Sequence, residues 1–432
     1  MVSAGLESAG PANLEAFARM CRADPVLVDI GRAGDVVPGM TPGTILASGP
    51  RLDWGDYLGG ARKAIIYGAL FEGLATDLED AEDKLARGAI RVEGCQDHGC
   101  IGSVAGIYTA SMPVFVVENR AFGNRAFCNF YEGESRRRLN YGAYDDGVRD
   151  QLHFLADVIA PALREAVARA GGISLKPLMI RALHMGDELH SRNSAATLLF
   201  ARELYPHLLG VAETDRRGVE ETLRYLAGSD YFFLRLSMAS SKATADPAHG
   251  IEGSSVVTSM ALYSRGVAIR VSGLGEGWEL GPYPQVDAKM FEGFTTDDID
   301  WIGGESIINE TVGLGGFAQA AAFPLQNYQG GSPQAMVEMN LAMYDITVGE
   351  HTDFKIPFLA YRGTPTAIDV FRVARTGITP VLDVGLAGRD GGQIGAGIVR
   401  APIECFTNAV ASYESIYGPA ARRDATREDK EA

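Results

Sequence analysis

The sequence predicts an α+β protein with two mixed α/β domains and a smaller, mostly helical domain between them. Three observations support this fold class. Helix and strand patterns alternate at the start of the chain, apolar residues then recur mostly at helical spacing, and a mixed, glycine-rich pattern follows. We therefore predict an N-terminal α/β domain at 1–140, a helical domain at 141–245, a glycine-rich α+β domain at 246–420 and a disordered tail at 421–432.

The predicted elements follow in chain order. Helical spacing in NLEAFARMCRA precedes a predicted strand, VLVDI, and PVFVVEN is a second short, buried strand. A long amphipathic helix pattern begins at residue 141, and residues 188–205 are also predicted to be helical. Towards the C-terminus, GVAIRVSGLG, KIPFLAYRGTP and ITPVLDVGLAG are predicted strands, and PIECFTNAVASYESIYG is the last predicted helix.

Composition and charge restrict the possible partners. The formal net charge of −16 disfavours nucleic acids and anionic membranes, and the sequence has no uncharged apolar run of about 18 residues for a membrane span. The five cysteines are few and widely spread, and the start of the chain lacks a signal-peptide pattern, so we expect a cytoplasmic protein. A small anionic substrate would need a local pocket of arginines and backbone amides.

The first candidate stretch is EGCQDHGCIGSVAG. Its two cysteines lack the second ligand pair that a structural zinc site needs, so zinc is disfavoured. In the functional interpretation, a glycine-rich loop places Gln96, Asp97 and His98 in a pocket where backbone amides approach a ligand. The alternative is a structural turn that holds two buried cysteines.

The second stretch is RALHMGDELHSRNSAA. His184 and His190 are six positions apart, which corresponds to about 240° around a helix, so we expect them to share no metal ion. If Asp187 begins the helix, its N-terminus can bind an anion, with His184, Arg192 and Asn193 as donors. We include Asp187 and His190 among the candidate substrate-binding residues. The alternative is a solvated helix start in which His190 pairs with Asp187.

Two later stretches offer glycine-rich helix starts. In KATADPAHGIEGSSVVTSMA, the residues His249, Gly253, Ser254 and Ser255 precede a predicted apolar helix and suit a phosphate or carboxylate, although a plain cap by Ser254 is an alternative. In GGESIINETVGLGGFAQAAA, GLGGF precedes a predicted alanine-rich helix. Neither stretch has a full nucleotide-binding signature.

The remaining residues complete a candidate site for a small anion. Gly315 and Gly316 would offer backbone amides. Arg362 would form a bidentate pair with a substrate carboxylate, although Asp369 is an alternative partner for this arginine. The candidate acids or bases are His98, His184 and His249. We predict chemistry by positioning and electrostatics, with neither a metal ion nor a cofactor.

A set of motifs resembles the YlbE/YahG family. These motifs are spread in order over about residues 12–411 and include CQDHGCIGSVAG, ALHMGDELHSRN, SMASSKATADPAHGIEGSSVVT, ETVGLGGFAQAAA and GGQIGAGIVRAPIECF. The resemblance implies an α+β fold and a subunit of the oxamate carbamoyltransferase type, as known for one member in anaerobic allantoin degradation. Such an enzyme converts oxalurate and phosphate to oxamate and carbamoyl phosphate.

The resemblance also implies partners. We expect a homo- or hetero-oligomer that includes an FdrA-like subunit of the acyl-CoA synthetase type. The chain has Gln96 and Asp97 where relatives are richer in histidine, so the identity of the ureido acid stays open. Two alternatives also stay open: an amidohydrolase, in which water replaces phosphate, and a non-catalytic partner of the FdrA-like subunit.

Overall fold

The computed structural model describes residues 3–133 and 137–418, and its helices and separate sheets confirm the α+β class. The predicted tail at 421–432 lies outside the described residues. The strands are β1 Pro25–Arg32, β2 Thr44–Ala47, β3 Arg91–Gly94, β4 Cys100–Ile101, β5 Pro113–Asn119, β6 Arg125–Asn129, β7 Ile173–Ser174, β8 Val257–Tyr263, β9 Gly266–Val271, β10 Glu279–Gly281, β11 Val286–Met290, β12 Ile299–Ile302, β13 Thr347–Ile356, β14 Arg362–Ile368, β15 Val381–Gly388 and β16 Gln393–Arg400.

The α-helices are distributed along the described chain, and six of them lie between residues 146 and 245. The segment Leu155–Ile159 is a π-helical turn that joins the α-helices Asp146–Phe154 and Ala160–Ala170 into one continuous helix. The α-helices are α1 Ser3–Arg22, α2 Ala33–Val36, α3 Gly59–Phe71, α4 Leu78–Ala86, α5 Asp146–Phe154, α6 Ala160–Ala170, α7 Lys176–His184, α8 Ser194–Val211, α9 Arg216–Ala227, α10 Phe232–Ala245, α11 Ile308–Thr311, α12 Gln326–Gln329, α13 Pro333–Met343, α14 Val370–Thr376 and α15 Ile403–Tyr417.

The N-terminal sheet has the strand order β4-β6-β5-β1-β7. Strand β1 pairs antiparallel with β5 and β7, and β6 pairs antiparallel with β5 and parallel with β4. The predicted strand PVFVVEN is β5, and it is buried almost throughout, as expected for a continuous apolar run. Helix α6 packs against β1, and α10 packs against β5 and β6, so α10 is buried along its whole length.

The C-terminal part contains a three-stranded sheet, β10-β9-β8, and a four-stranded sheet, β11-β16-β15-β12. Apolar residues of both sheets share one core with α14 and α15. The pairing of β15 with β16 presents the middle of β15 to the N-terminal part of the molecule, which positions the site described below.

The largest hydrophobic core crosses the predicted domain boundaries. It runs from Ala16 in α1 to Ala367 in β14 and includes the N-terminal sheet and most of helices α6–α10. Strand β7, which lies within the predicted helical domain, belongs to the N-terminal sheet. The division into three domains therefore stays a prediction. Within the described residues, no helix combines the length and the apolarity that a membrane crossing requires.

The predicted helix at 188–205 begins too early. Helix α8 starts at Ser194, and the preceding residues form a loop. The reason is local, because the Glu188 carboxylate accepts the backbone N–H groups of residues 190, 191 and 192, which a helix would use otherwise. Leu189 also has a φ of 72°, in the left-handed region.

Two predicted glycine-initiated helices are also wrong. The residues after Ser255 form the buried strand β8, because the β-branched run in GSSVVTSM pairs with β9 and is covered on both faces. The residues after Gly316 form two short 3₁₀ turns, at Gly315–Phe317 and Gln319–Ala321, instead of an alanine-rich helix.

Candidate active site

A polar cavity of about 50 Å³ lies where the N-terminal sheet, helix α10 and strand β15 meet, and we call it the central cavity. This volume is enough for a few water molecules or a small part of a ligand. The lining residues come from many distant segments: Ser103, Val104, Tyr131, Arg138, Tyr141, His190, Ser191, Tyr231, Leu234, Arg235, Leu262, Gly303, Ser306, Ile307, Tyr328, Asp383, Val384, Gly385 and Gln393.

Two arginines give the central cavity a positive wall. Arg235 lies on α10 and is only 3% exposed, and its Nη1 donates to Asn129 Oδ1 over 3.1 Å. Its buried Nε has no hydrogen-bond partner among the described residues. The guanidinium carbon of Arg138 lies 5.0 Å from the centre of the Tyr131 ring. Guanidinium groups bind planar carboxylates and phosphates, and the positive charge of these two is local in a chain of net charge −16.

A buried cluster of His190, Glu310 and Asp383 lies at the same cavity. His190 Nδ1 lies 2.8 Å from Glu310 Oε1, which also accepts the backbone N–H groups of Gly316 and Asp383, each over 3.0 Å. The Asp383 carboxylate accepts from Gln319 Nε2 over 2.7 and 3.0 Å. Donor atoms of the three residues all lie within 4.8 Å of one another. We refer to these three residues as the carboxylate–histidine cluster.

Burial makes negative charge unfavourable in this cluster. Burial, together with the nearby Glu310 carboxylate, raises the pKa of Asp383 to about 8. Burial and the nearby Asp383 also raise the pKa of Glu188 well above its usual range. Burial alone would lower the pKa of His190, but the negative charge of Glu310 outweighs it and the pKa is raised. The cluster therefore favours the uptake of a proton or a cation.

Some of the residues predicted from the sequence meet at this place. His190 lines the central cavity, and the amide of Gly315 donates to the carbonyl of Glu188 over 2.8 Å, next to the cluster. The backbone amide of Gly316 donates a hydrogen bond, as predicted, but its acceptor is the Glu310 carboxylate of the chain itself. Ser103 and Val104, at the end of the CQDHGCIG loop, line the same cavity.

The neighbours of His190 are mainly structural. The Asp187 carboxylate accepts the N–H of Ala196 over 2.8 Å and so caps helix α8 from outside the helix. Asn193 Nδ2 donates to the His190 carbonyl over 2.7 Å. Arg192 Nε donates to the carbonyl of residue 186 over 2.9 Å. His190 pairs with Glu310 instead of Asp187, because the loop turns it towards the cavity.

A wider opening of about 540 Å³ adjoins the central cavity, and we call it the vestibule. Arg192 and Asn193 line the vestibule, and the two spaces share Ser191, Tyr231 and Tyr328. The structure therefore places both predicted donors on the approach to the cavity rather than at its centre.

Three predicted residues lie elsewhere. Both ring nitrogens of His98 have partners, since Nδ1 lies 2.7 Å from the carbonyl of Pro38 and Nε2 lies 2.6 Å from Glu93 Oε2. His184 ends helix α7 and is exposed, with its ring against that of Tyr361. Arg362 donates to Glu350 Oε1 over 2.7 Å on the surface, so Asp369 is not its partner.

The remaining predicted residues form a second polar group outside the lining of the central cavity. Asp97 pairs with the buried Arg270 over 2.5 Å, and His249 Nδ1 lies 2.7 Å from Thr258 Oγ1. Gln96 Nε2 donates to the carbonyl of residue 260 over 3.3 Å.

The turn that contains Gly253 is held by structural hydrogen bonds. The hydroxyls of Ser254 and Ser255 bond to Asn13 and Asp369, at 3.1 and 2.9 Å, so both serines tie the turn to other elements. The carbonyl of Gly253 accepts from Tyr413 Oη over 2.7 Å.

Sequence reasoning missed Arg138, Arg235 and Asp383 and did not assign Glu310 to the site. Two of them have a recognisable signal. Arg235 is the lone charge in YFFLRLSMASS, and Asp383 is the lone charge in VLDVGLAG, and an isolated charge in a buried apolar segment usually needs a partner. Arg138 has no comparable signal.

Comparisons with known proteins agree on one family. The family model described as "Oxamate carbamoyltransferase subunit AllG" matches residues 90–306. The uncharacterised protein YahG of Escherichia coli K12 is 42% identical over 412 residues, which is 94% of this chain and 86% of YahG. The oxamate carbamoyltransferase subunit AllG of the same organism is 35% identical over 416 residues, which is 95% of this chain and 99% of AllG.

A crystal structure extends the likeness to the fold. A conserved protein of unknown function from Enterococcus faecalis V583 superposes with a TM-score of 0.91 at 36% sequence identity, over 95% of this chain and 99% of that one. The similarity thus covers almost the whole chain in both sequence and structure, and the chain belongs to the YahG/AllG family.

Proposed function

We propose that the chain is a subunit of a cytoplasmic carbamoyltransferase that acts on a small ureido acid of the oxalurate type. The proposal combines the name of the relative AllG, which is an oxamate carbamoyltransferase subunit, with the chemistry of the central cavity. The observation that carries the proposal is the combination of Arg138, Arg235 and the carboxylate–histidine cluster around one small cavity.

The proposed reaction is a phosphorolysis that balances without an oxidant or a nucleotide. A phosphate oxygen attacks the terminal carbonyl carbon of the ureido acid and forms the new carbon–oxygen bond. The bond from this carbon to the inner nitrogen breaks, and the electron pair stays on the nitrogen. The proton of hydrogen phosphate ends on this nitrogen, so that the products are an oxamate-like amide and carbamoyl phosphate.

The lining of the cavity suits this reaction because the reaction depends on positioning and charge. Both substrates are anions, and the guanidinium groups of Arg138 and Arg235 offer paired donors for a carboxylate or a phosphate. Ser306 lines the same space, and we propose that its hydroxyl group donates to the carbonyl oxygen as negative charge develops on it.

The proposal includes partner subunits. AllG is named as a subunit, and we propose that this chain likewise works in a homo- or hetero-oligomer with an FdrA-like subunit of the acyl-CoA synthetase type. The vestibule, which opens beside Arg192 and Asn193, is the proposed path for substrate between the solvent and the central cavity.

The test is turnover of oxalurate with radiolabelled phosphate, for the purified chain alone and together with its FdrA-like subunit and any other subunits of the complex. The proposal predicts phosphate-dependent labelling of carbamoyl phosphate in the presence of the chain and no labelling when it is omitted. Release of ammonia or carbamate without phosphate would contradict the proposal and support an amidohydrolase. Full turnover by the partner subunits without this chain would contradict any catalytic role.

A further inference from the structure

We propose that His190, Glu310 and Asp383 bind a divalent first-row metal ion, of the class of Mn²⁺, at the wall of the central cavity. The binding of the ion is inferred from the structure of the cluster. Only the role of the ion rests on the proposed function, in which it would hold or polarise an oxygen of the substrate or the phosphate.

The geometry of the cluster fits one coordination sphere. Donor atoms of the three residues lie within 4.8 Å of one another. Ligands around an ion at about 2.1 Å are about 3.0 Å apart when adjacent and about 4.2 Å apart when opposite. The separation of 2.8 Å between His190 Nδ1 and Glu310 Oε1 already approaches that of adjacent ligands, so small side-chain movements would complete the set.

Unpartnered buried oxygens provide an independent indication. Glu310 is fully buried, and its Oε2 has no hydrogen-bond partner among the described residues. Gln319 is also fully buried, and its Oε1 has no partner in the same part of the chain, although its Nε2 donates to Asp383. Buried oxygens without a donor are costly and are normally satisfied by water, a ligand or a cation.

The charge of the surroundings favours a cation. The carboxylates of Glu188, Glu310 and Asp383 are all fully buried, and the His190 imidazole is hydrogen-bonded to the Glu310 carboxylate. Carboxylates that are brought together out of water need a positive partner. Arg235 lines the cavity but donates to Asn129, and no hydrogen bond from it to a cluster carboxylate is present among the described residues.

The donor set selects the class of ion. One imidazole nitrogen and two carboxylates, with the Gln319 amide oxygen nearby, suit a divalent first-row ion such as Mn²⁺. Ca²⁺ prefers sites made only of oxygen ligands, and soft ions such as Cu⁺ prefer thiolates, which the cluster lacks.

The ion would also connect distant parts of the chain. His190 lies on the loop before α8, Glu310 on α11 and Asp383 on β15, so that binding would tie three segments together. A ligand that binds only the folded state raises its stability in proportion to the logarithm of the ligand concentration. Metal binding should therefore raise the melting temperature of the full chain.

The test uses the full-length chain, first treated with a chelator, dialysed and titrated with Mn²⁺ alone. We expect one bound ion per chain by calorimetry and by loss of the free-ion electron paramagnetic resonance signal, together with a higher melting temperature. Pulsed resonance spectra should show nitrogen coupling from His190. The substitutions Glu310→Gln and Asp383→Asn should weaken binding by at least about tenfold.

Asp369→Asn is the matched control, because Asp369 is buried, bonds to Ser255 and lies outside the cluster. This variant should bind Mn²⁺ like the native chain. The absence of stoichiometric binding by the folded native chain, or bound Mn²⁺ without nitrogen coupling, would overturn the proposal even if the variants fail to fold. The binding test contains no substrate and is therefore independent of the activity test. A chain that binds Mn²⁺ but forms no carbamoyl phosphate would contradict only the proposed function.

Discussion

At the scale of single residues, the proposal of an anionic ligand in the central cavity depends most directly on the Arg235 side chain. It is nearly fully buried on an apolar helix, and Asn129 satisfies only part of its guanidinium group. No carboxylate forms an ion pair with Arg235 among the described residues, so we expect the cavity that it lines to hold a carboxylate or a phosphate during function.

The first prediction concerns Arg235→Lys. Lysine keeps the charge but lacks the planar guanidinium group, which donates two hydrogen bonds to one anion. The variant should therefore lower kcat/KM for the ureido acid by roughly 10- to 100-fold. This loss corresponds to about 1.5–3 kcal/mol, the contribution of a hydrogen bond to a charged group. Steady-state kinetics with the complete set of subunits measures this effect, and thermal melting shows whether the variant is folded.

Arg270→Lys provides the comparison, because Arg270 is about as buried as Arg235 but pairs with Asp97 outside the cavity lining. Its substitution should leave kcat/KM nearly unchanged. If Arg270→Lys lowered kcat/KM strongly while Arg235→Lys did not, the substrate site would have to be the second polar group around Asp97 and His249.

His190 illustrates what a sequence can reveal about a single residue. Its proximity to other polar residues marked it as a candidate, and the structure brings it to the cavity. Its partner was not predictable, because Glu310 lies 120 positions away in the sequence. His98 shows the opposite case, since its neighbours in sequence suggest a site but its ring joins Pro38 to Glu93.

At the scale of elements, Glu305 joins two loops of the N-terminal part to the C-terminal part. One of its carboxylate oxygens accepts the N–H of Gly49 over 2.8 Å, and the other accepts the N–H of Gly102 over 2.7 Å. The side chain is fully buried, and this burial raises its pKa from 4.5 to about 7, although the two amide donors oppose the shift.

This shift predicts a pH dependence of the stability. The folded state holds a proton on Glu305 between about pH 4.5 and pH 7, where the unfolded state has lost it. The free energy of unfolding should therefore fall as the pH rises through this window, by at most about 1.4 kcal/mol per pH unit, and the contribution should level off above pH 7. Urea unfolding at a series of pH values measures it.

Glu305→Gln is the variant that isolates this contribution, because glutamine cannot ionise. Its free energy of unfolding should be lower overall, since one amide donor loses its acceptor, and should decline less than that of the native chain between pH 5 and pH 7. An equally steep decline in this variant would assign the pH dependence to other groups.

The elements themselves were predictable where the local pattern is strong. The apolar run PVFVVEN forms β5, and the amphipathic pattern after residue 141 forms α5 and α6. The start of α8 was not predictable, because Glu188 holds the preceding amides with its side chain. Strand β8 was missed because its apolar run fits a helix or a strand until its partner β9 is known.

At the scale of the whole molecule, the site exists only because distant segments meet. Arg138, Arg235 and Asp383 come from a loop, a helix and a strand that one sequence gives no reason to combine. The largest core crosses the same boundaries, so the cavity lies among parts of the chain that fold together. The sequence therefore predicts the family and the fold class better than the residues that line the cavity.

The net charge of −16 restricts where an anionic substrate can bind. The overall field repels an anion, so binding has to depend on local arginines and amides. Two of the places where the described residues bring such groups together are the central cavity, with Arg138 and Arg235, and the second polar group, with Arg270 and His249. The central claim is that the first of them binds the substrate.

A crystal structure of the chain with oxamate and phosphate tests this claim most directly. The predicted result is density for at least one of the two anions inside the central cavity, within hydrogen-bond distance of Arg235 or Arg138 and next to His190. Density for both anions only beside Arg270 and His249, with water alone in the central cavity, would contradict it.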